Sequence, residues 1–479
     1  MGQQIMKHAY FGVPIILAGA LLAGTAFAHQ EPAPASAGAA GEIVARLPWG
    51  KDAAAVGGTP TNGADSGIEG VPASFLVDEA GAVHILDTVN RRIVVLKPGA
   101  PPATVSLAAL GDASLLVDFA VRGRGWLVAD RTANAVVEVG PDGAAGTRWT
   151  GFQRLQRVDT AGDRAFARDE MTLSVSRLDA GGKLEEASKS PHAVPVTAGG
   201  GPVMARVVAA QAVFTLGPKD SVYSLPAHQS GDEVQAVEVA GADANGALLL
   251  AIHEGKGDER RGVWLSRVAP DGDVQAELLA PPIDDRCSTP PRFFRALADG
   301  KVLGFRTTEA SYELARFTLV PPASPRRAAP AAAPGAAEES ARTALCKGDA
   351  SARAAVAAAA LAVAFDETAS RRVERDLAAL DAGVKPADLC ALDTARAALE
   401  SGDAAKALKT VEAIDAEGLR DRRLYIEAQA LEKTGDLREG LHRWQRLVLE
   451  HADSPHFAEA QAAVMRIADS GKLPGAQPK

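Results

Sequence analysis

The stretch Ala73–Ala100, ASFLVDEAGAVHILDTVNRRIVVLKPGA, constrains this chain more than any other because it comes back. It holds three short apolar runs separated by two turn clusters, and the same plan recurs in DFAVRGRGWLVADRTANAVVEVGPDGA, Asp118–Ala144. Phe75 aligns with Phe119, the Gly81 turn with Gly125, Asp87 with Asp130 and Asn90 with Asn134, at an offset of about 44 residues. Ile93 and Val95 likewise align with Val137 and Val139. Weaker units begin at Arg157, Arg206, Gly246 and Phe294, which makes about six in some 280 residues. One such unit yields three or four antiparallel strands whose two faces both need cover. A lone sheet of that size cannot bury both, so the units are expected to stack radially as blades of a β-propeller. The Asp and Asn of DTVN and DRTAN suit turns, because short polar side chains bond to nearby backbone. IVARLPW, Ile43–Trp49, is expected to close the ring as an outer strand on the unit containing Leu303.

The first unit resembles the repeat of NHL-type β-propellers. SFLVDEAGAVHILDTVNRRIVVL follows that family's order of apolar strand, Asp-x-x-Gly turn, second strand ending in Asp, and Asn-x-Arg-Ile. The second unit matches less fully, and the later ones keep only the strand spacing. The resemblance implies the fold over about 280 residues and says little about function.

The chain divides by texture. Residues 43–320 are strand-like. PPASPRRAAPAAAPGAAEES opens a Pro/Ala-rich stretch, 321–342, that reads as a semi-extended linker. Residues 343–470 are rich in Ala, Leu, Glu and Arg and read as helical, and 471–479 as a flexible tail. Within the helical part, GDAAKALKTVEAI and GDLREGLHRWQRLVLE start at Gly402 and Gly435. Leu424, Ala428 and Leu431 share one helical face, and Leu437, Leu441, Trp444 and Leu447 share the face of the next helix. This segment resembles a tetratricopeptide repeat at Ala428, Gly435 and Gly440, and departs from it at Leu424, Leu431 and Leu437, where that family favours aromatics. The resemblance implies a concave groove that holds peptides or partner proteins, with Leu424, Tyr425, Ala428 and Trp444 as candidate contacts.

MGQQIMKH followed by AYFGVPIILAGALLAGTAFA has the order of a secretory signal: a positive start, an apolar middle and an A-x-A exit at Ala26–Ala28. Cleavage after Ala28, leaving a flexible segment 29–42, fits better than an uncleaved anchor. No other apolar run is long enough to span a bilayer, so the mature chain is expected in the periplasm or outside the cell. Net charge is −9, or −10 without the single positive charge of Lys7 in the leader, and no basic block offsets it. That balance argues against nucleic acid as a partner. Three cysteines are too few for a disulfide framework. Cys346 and Cys390 are a possible pair; three separate buried thiols are the alternative.

No residue is assigned a catalytic, cofactor-binding or metal-binding role. The histidines lack metal spacing: His84 stands in a strand, and His442, His451 and His456 are nine and five apart, which suits a solvated surface. No G-x-S-x-G elbow, P-loop or H-E-x-x-H occurs. HEGKGDERRG, His253–Gly262, reads as a charged hairpin tip, and Asp284 and Asp285 beside Cys287 as a loop. Some propellers are lyases or hydrolases with a metal in the central channel, but such sites need several converging polar residues. The runs ASFLV, LLVDFAV and ALLLAIH, read as innermost strands, offer few. The expected function is therefore a non-catalytic scaffold of the bacterial cell envelope that binds protein or peptide partners through propeller loops and the helical groove. A carbohydrate-binding module is a third reading, weakened by an aromatic content of 5%.

Overall fold

A computed structural model of the chain describes residues 41–60, 68–69, 71–78, 80–161, 164–188, 190, 193–194, 202–216, 221–257, 259–280 and 293–469. The leader, most of segment 29–42, Asp284, Asp285, Cys287 and the tail lie outside the described residues. Six sheets follow one another along the chain, each ordered from its first strand outward. Blade 1 runs from Ser74–Val77 to Ala103–Ser106, blade 2 from Leu116–Arg122 to Ala145–Thr150, and blade 3 from Leu155–Ala161 to Leu184–Ser188. Blade 4 runs from Ala193–Val194 to Ser221–Leu225 and blade 5 from Glu233–Ala242 to Val274–Ala280. Blade 6 has Phe294–Ala296, Val302–Thr307 and Ser311–Phe317 from its own repeat.

Alternation along each strand explains the ring. In blade 1, Phe75, Ile85 and Val94 lie opposite one another across the ladder and pack toward blade 6 with Phe305 and Leu314. Their neighbours Leu76, Leu86 and Ile93 point the other way and pack on Phe119, Trp126 and Val128 of blade 2. Blade 2 repeats the division with Leu127, Ala129 and Val136 against Leu155, Val158 and Ala165 of blade 3. Side chains two apart share a face, so each sheet buries both of its sides only between two others. The cluster joining blades 6 and 1 closes the circle. The first described strand, Glu42–Pro48, completes that closure by pairing antiparallel with Ser311–Phe317, as its sequence suggested.

The turns between second and third strands are held by the Asp that ends the second strand. Asp87 accepts from the backbone N–H of Gly57 at 3.0 Å and of Asn90 at 3.2 Å, and from Arg92 Nε at 2.9 Å. Asp169 accepts from the N–H groups of Arg154, Met171 and Thr172. Burial acts to raise the Asp169 carboxyl pKa, but these bonds outweigh it and hold it below the usual value. Each turn then needs one residue at positive φ, supplied by Arg91, Asn134 and Leu173.

The expected linker 321–342 is built into both halves instead. Val320 exchanges backbone hydrogen bonds with Glu277 on the outer strand of blade 5, and Val274 N–H donates to Arg326 at 3.0 Å. Ala329–Pro330 then pairs with Ser221–Leu225 as a fifth, outermost strand of blade 4. Edge addition uses backbone rather than side-chain periodicity, and Pro is tolerated on an edge, so composition alone reads such a strap as a linker. A first helix starts at Pro334, nine residues before the expected boundary at 343, with Pro in its first turn.

The eight described helices are α1 (Pro334–Lys347), α2 (Ala352–Ala362), α3 (Glu367–Asp381), α4 (Pro386–Glu400), α5 (Ala404–Glu412), α6 (Arg420–Thr434), α7 (Leu437–Glu450) and α8 (Phe457–Asp469). Gly402 and Gly435 take left-handed φ of 88° and 89°, ending α4 and α6, and the next residues Asp403 and Asp436 cap α5 and α7. The Gly-Asp pairs are thus a C-cap followed at once by an N-cap, which turns the chain into a hairpin. A disulfide joins Cys346 in α1 to Cys390 in α4. Val208 and Val213 of blade 4 share a buried cluster with Val356 and Ala360 of α2. Arg206 of the same blade donates to Ala364 O at 3.0 Å and pairs with Glu374.

Candidate functional site

Three places in the structure bear on function: the axis of the propeller, one of its loop faces, and a cleft in the helices. At the axis, Arg295 of blade 6 donates to Ser74 Oγ of blade 1 (3.1 Å), to Asp118 Oδ1 and Phe119 O of blade 2 (3.3 and 3.0 Å), and to Asp159 Oδ1 of blade 3 (3.4 Å). One guanidinium from blade 6 touching three other blades defines the point where inner strands converge. Arg157 holds the second Asp159 oxygen at 3.1 Å and reaches Val239 O of blade 5. The Ser74 hydroxyl and the Val158 N–H also donate to Asp118, at 2.6 and 3.0 Å. Both carboxylates already serve as counter-ions to two buried guanidiniums. Among the described residues, no three His, Cys, Asp or Glu side chains converge as a metal site would require.

ASFLV is innermost in blade 1 as its sequence suggests, but one of the three runs read as innermost is not, which hides part of this network. ALLLAIH is the second strand of blade 5, whose inner strand is Glu233–Ala242, and blade 4 begins at Ala193–Val194 rather than at Arg206. Second strands are covered on both faces and read as the most apolar text, so they pass for the start of a unit. LLVDFAV, correctly innermost, contained the visible signal: a carboxylate in an otherwise apolar strand.

One loop face carries exposed apolar side chains on three consecutive blades. Val89 in the turn of blade 1, Leu115 at the entry to blade 2, and Met171 and Leu173 in the turn of blade 3 are 49%, 53%, 60% and 38% exposed. These turns and entries lie on one face, since Arg131 N–H donates to Leu115 O and Glu170 N–H to Arg154 O across the same rim.

The helical candidates divide. Leu424, Ala428 and Trp444 are buried together with Leu447, Ala460 and Ile467, so they form the seam of α6, α7 and α8 and cannot meet a partner. Their shared face points at the adjoining helices because each hairpin buries its own apolar stripe. Tyr425 alone borders a cleft of about 190 Å³, together with Arg375, Arg396, Arg422 and Lys433. Its ring stacks on His456 at 3.8 Å, and its hydroxyl donates to Glu459 at 2.9 Å. Burial and the Glu459 carboxylate push its pKa up to about 12. His456 is therefore part of the cleft rather than the solvated residue its spacing suggested, whereas His442 is exposed.

Two further histidines are structural. His84 is buried, takes the Trp126 Nε1–H on Nδ1 at 3.1 Å and meets Asp78 at 3.0 Å through Nε2, so it joins blades 1 and 2 as a neutral ring. Burial lowers its pKa, only partly offset by Asp78. His228, not singled out in the sequence, stacks on Trp264 at 3.7 Å between Glu254 (2.6 Å) and Glu277 (3.1 Å), where Arg326 of the strap joins them. Glu254 is buried there, so only the end of the 253–262 hairpin is a solvated tip.

No protein-family model and no curated protein matches the chain. Among solved structures it is similar to virginiamycin B lyase from Staphylococcus aureus, at 10% identity over 54% of this chain and 98% of that one, with a TM-score of 0.31. It is similar to YCF48 from Cyanidioschyzon merolae at 9% identity over 54% and 98%, TM-score 0.33. A third is BBS1N in complex with ARL6DN, at 12% identity over 51% and 77%, TM-score 0.28.

Proposed function

We propose that this chain is a non-catalytic partner-recognition protein of the bacterial cell envelope, exported by its leader, with an NHL-type propeller and a tetratricopeptide-like helical half. The observation that carries the reading is the run Val89, Leu115, Met171 and Leu173, left in water on one face of three successive blades. Scattered exposed apolar residues are ordinary, but several on one face favour a partner. The axial Arg–Asp network supports the non-catalytic side, since its carboxylates are engaged as counter-ions. Among the described residues the large exposed hydrophobics are all aliphatic or Met, which favours a protein partner over a sugar. The Cys346–Cys390 disulfide supports an oxidising compartment.

The test is affinity capture from envelope extract by the full chain and by a Leu115→Asp, Met171→Asp variant. Retention of a protein by the parent and its loss in the variant is the expected result. If neither retains any protein, the recognition reading fails. Mass spectrometry of the periplasmic fraction should find a mature N-terminus at His29; full-length chain in the cytoplasm would overturn the export.

A further inference from the structure

The helical cleft holds cationic nitrogen that nothing answers. Arg375, Arg396, Arg422 and Lys433 line it with Glu400, while Asp376, Asp393 and Glu459 bond to lining side chains from behind or beside them. Arg422 is only 7% exposed; Asp376 takes its Nη2, and its Nη1 is buried with no hydrogen-bond partner among the described residues. Arg375 repeats the pattern: Nε donates to Arg371 O at 3.2 Å, and Nη1 is buried and unanswered. Of the other two cations, Arg396 engages Asp393 and Lys433 donates to Leu399 O at 2.8 Å. Buried donors on charged groups are almost always satisfied, so two unsatisfied guanidinium ends beside one cavity mark a place where an acceptor belongs. Burial, and then the charges of Arg375 and Arg422, hold the His456 pKa below its ordinary value, against the opposing pull of Asp421 and Glu459. Leu399 and Ile426, both buried, supply an apolar wall beside the cations.

We propose that this cleft is an oxyanion site, taking a carboxylate or phosphate carried next to an apolar side chain. The planar guanidinium presents paired donors to either group, and Lys433 at the exposed rim adds a point charge. The proposal sharpens the partner reading for the helical half, and rests on it only in taking the anion from a partner.

The test is calorimetric titration of the full chain with N-acetyl-leucine, with its uncharged amide, and with inorganic phosphate. The acid is expected to bind at least tenfold more tightly than the amide. Arg375→Gln and Lys433→Gln should each weaken anion binding at least fivefold, with the unfolding temperature retained. Should Arg375→Gln fail to fold, Lys433→Gln, at an exposed position, carries the result. Phosphate binding above the acid assigns a phosphate source and acid above phosphate a carboxylate source, and either supports the site. The proposal is overturned if neither anion binds, if amide and acid bind alike, or if binding is unchanged in the folded variants. Capture of an envelope protein without any anion binding would sink this inference and leave the partner reading standing.

Discussion

Replacing Arg295 with Met tests what holds the axis together. Met retains much of the length and apolar volume of the arginine but none of its donors, so four hydrogen bonds to blades 1, 2 and 3 disappear at once. Asp159 keeps Arg157 at 3.1 Å and stays paired. Asp118, fully buried, keeps the Ser74 hydroxyl and the Val158 N–H and loses the Arg295 guanidinium. Breaking a buried ion pair by removing one partner costs about 3–5 kcal/mol, and the surviving Asp159–Arg157 pair puts this case near about 3 kcal/mol. With a urea dependence of about 3 kcal/mol/M for a chain of this size, the propeller midpoint should drop by about 1 M. Urea unfolding followed by the fluorescence of buried Trp126 and Trp149 reads that shift. Asp118→Asn weakens the same pair from its other side, so adding it to the Met variant should cost less than the sum of the two single changes. The reasoning is refuted if Arg295→Met costs less than about 1 kcal/mol, or if the two changes add in full.

Three other outcomes are expected. The Cys346–Cys390 bridge spans 44 residues, for which chain entropy gives roughly 4 kcal/mol at most, so Cys346→Ser with Cys390→Ser should lower the helical transition by about 2–4 kcal/mol in calorimetry. An unmoved transition would show that the tether constrains nothing. Burial raises the Glu313 carboxyl, but Arg306 and Arg46 outweigh it and hold the pKa below 4.5 in the folded chain. Its contribution is then present above the unfolded value and lost as pH falls through the folded one, so Glu313→Gln should flatten the acid limb of stability below about pH 4.5; identical acid limbs would refute this. Arg206→Ala removes the bonds to Ala364 O and Glu374, and hydrogen exchange should quicken at Ala362–Ala364 while the blade 1 strands keep their protection. Equal exchange in parent and variant would mean that the apolar seam alone holds the two halves together.

The ring was legible because packing between blades imposes period two on every strand, and Phe75, Ile85 and Phe119 had to obey it. The closing strand Glu42–Pro48 was legible for the same reason. The axis was less so: Arg295 lies in FRALADG, where a lone Arg in a short run looks like any surface charge, and only the ring brings it to Asp118 and Asp159. Helical periodicity identified the apolar face of Leu424, Ala428 and Trp444 correctly but not its direction. A stripe facing a neighbouring helix and a stripe facing a partner have the same spacing, and burial alone tells them apart.

The Pro/Ala-rich segment is the instructive failure, because its structure is made of groups that composition does not describe. Along 320–331 main-chain bonds set the path: Val320 with Glu277, Arg326 with Val274, Ala328 with Gly272, Ala331 with Val222. Side chains contribute at Arg326, which reaches Glu277 at 3.1 Å and Pro226 O at 2.9 Å, and whose partner His228 lies far off in the sequence. A strap that lines the edges of blades 4 and 5 also caps two rows of backbone groups otherwise open to another strand. It therefore does two things at once: it shields sheet edges of the propeller, and it fixes where α1 begins. Arg206 and the Val208–Val213 seam then hold the helices against blade 4. The apolar loop face of blades 1 to 3 lies on blades that these bonds do not engage, so a partner seated there need not displace the helices.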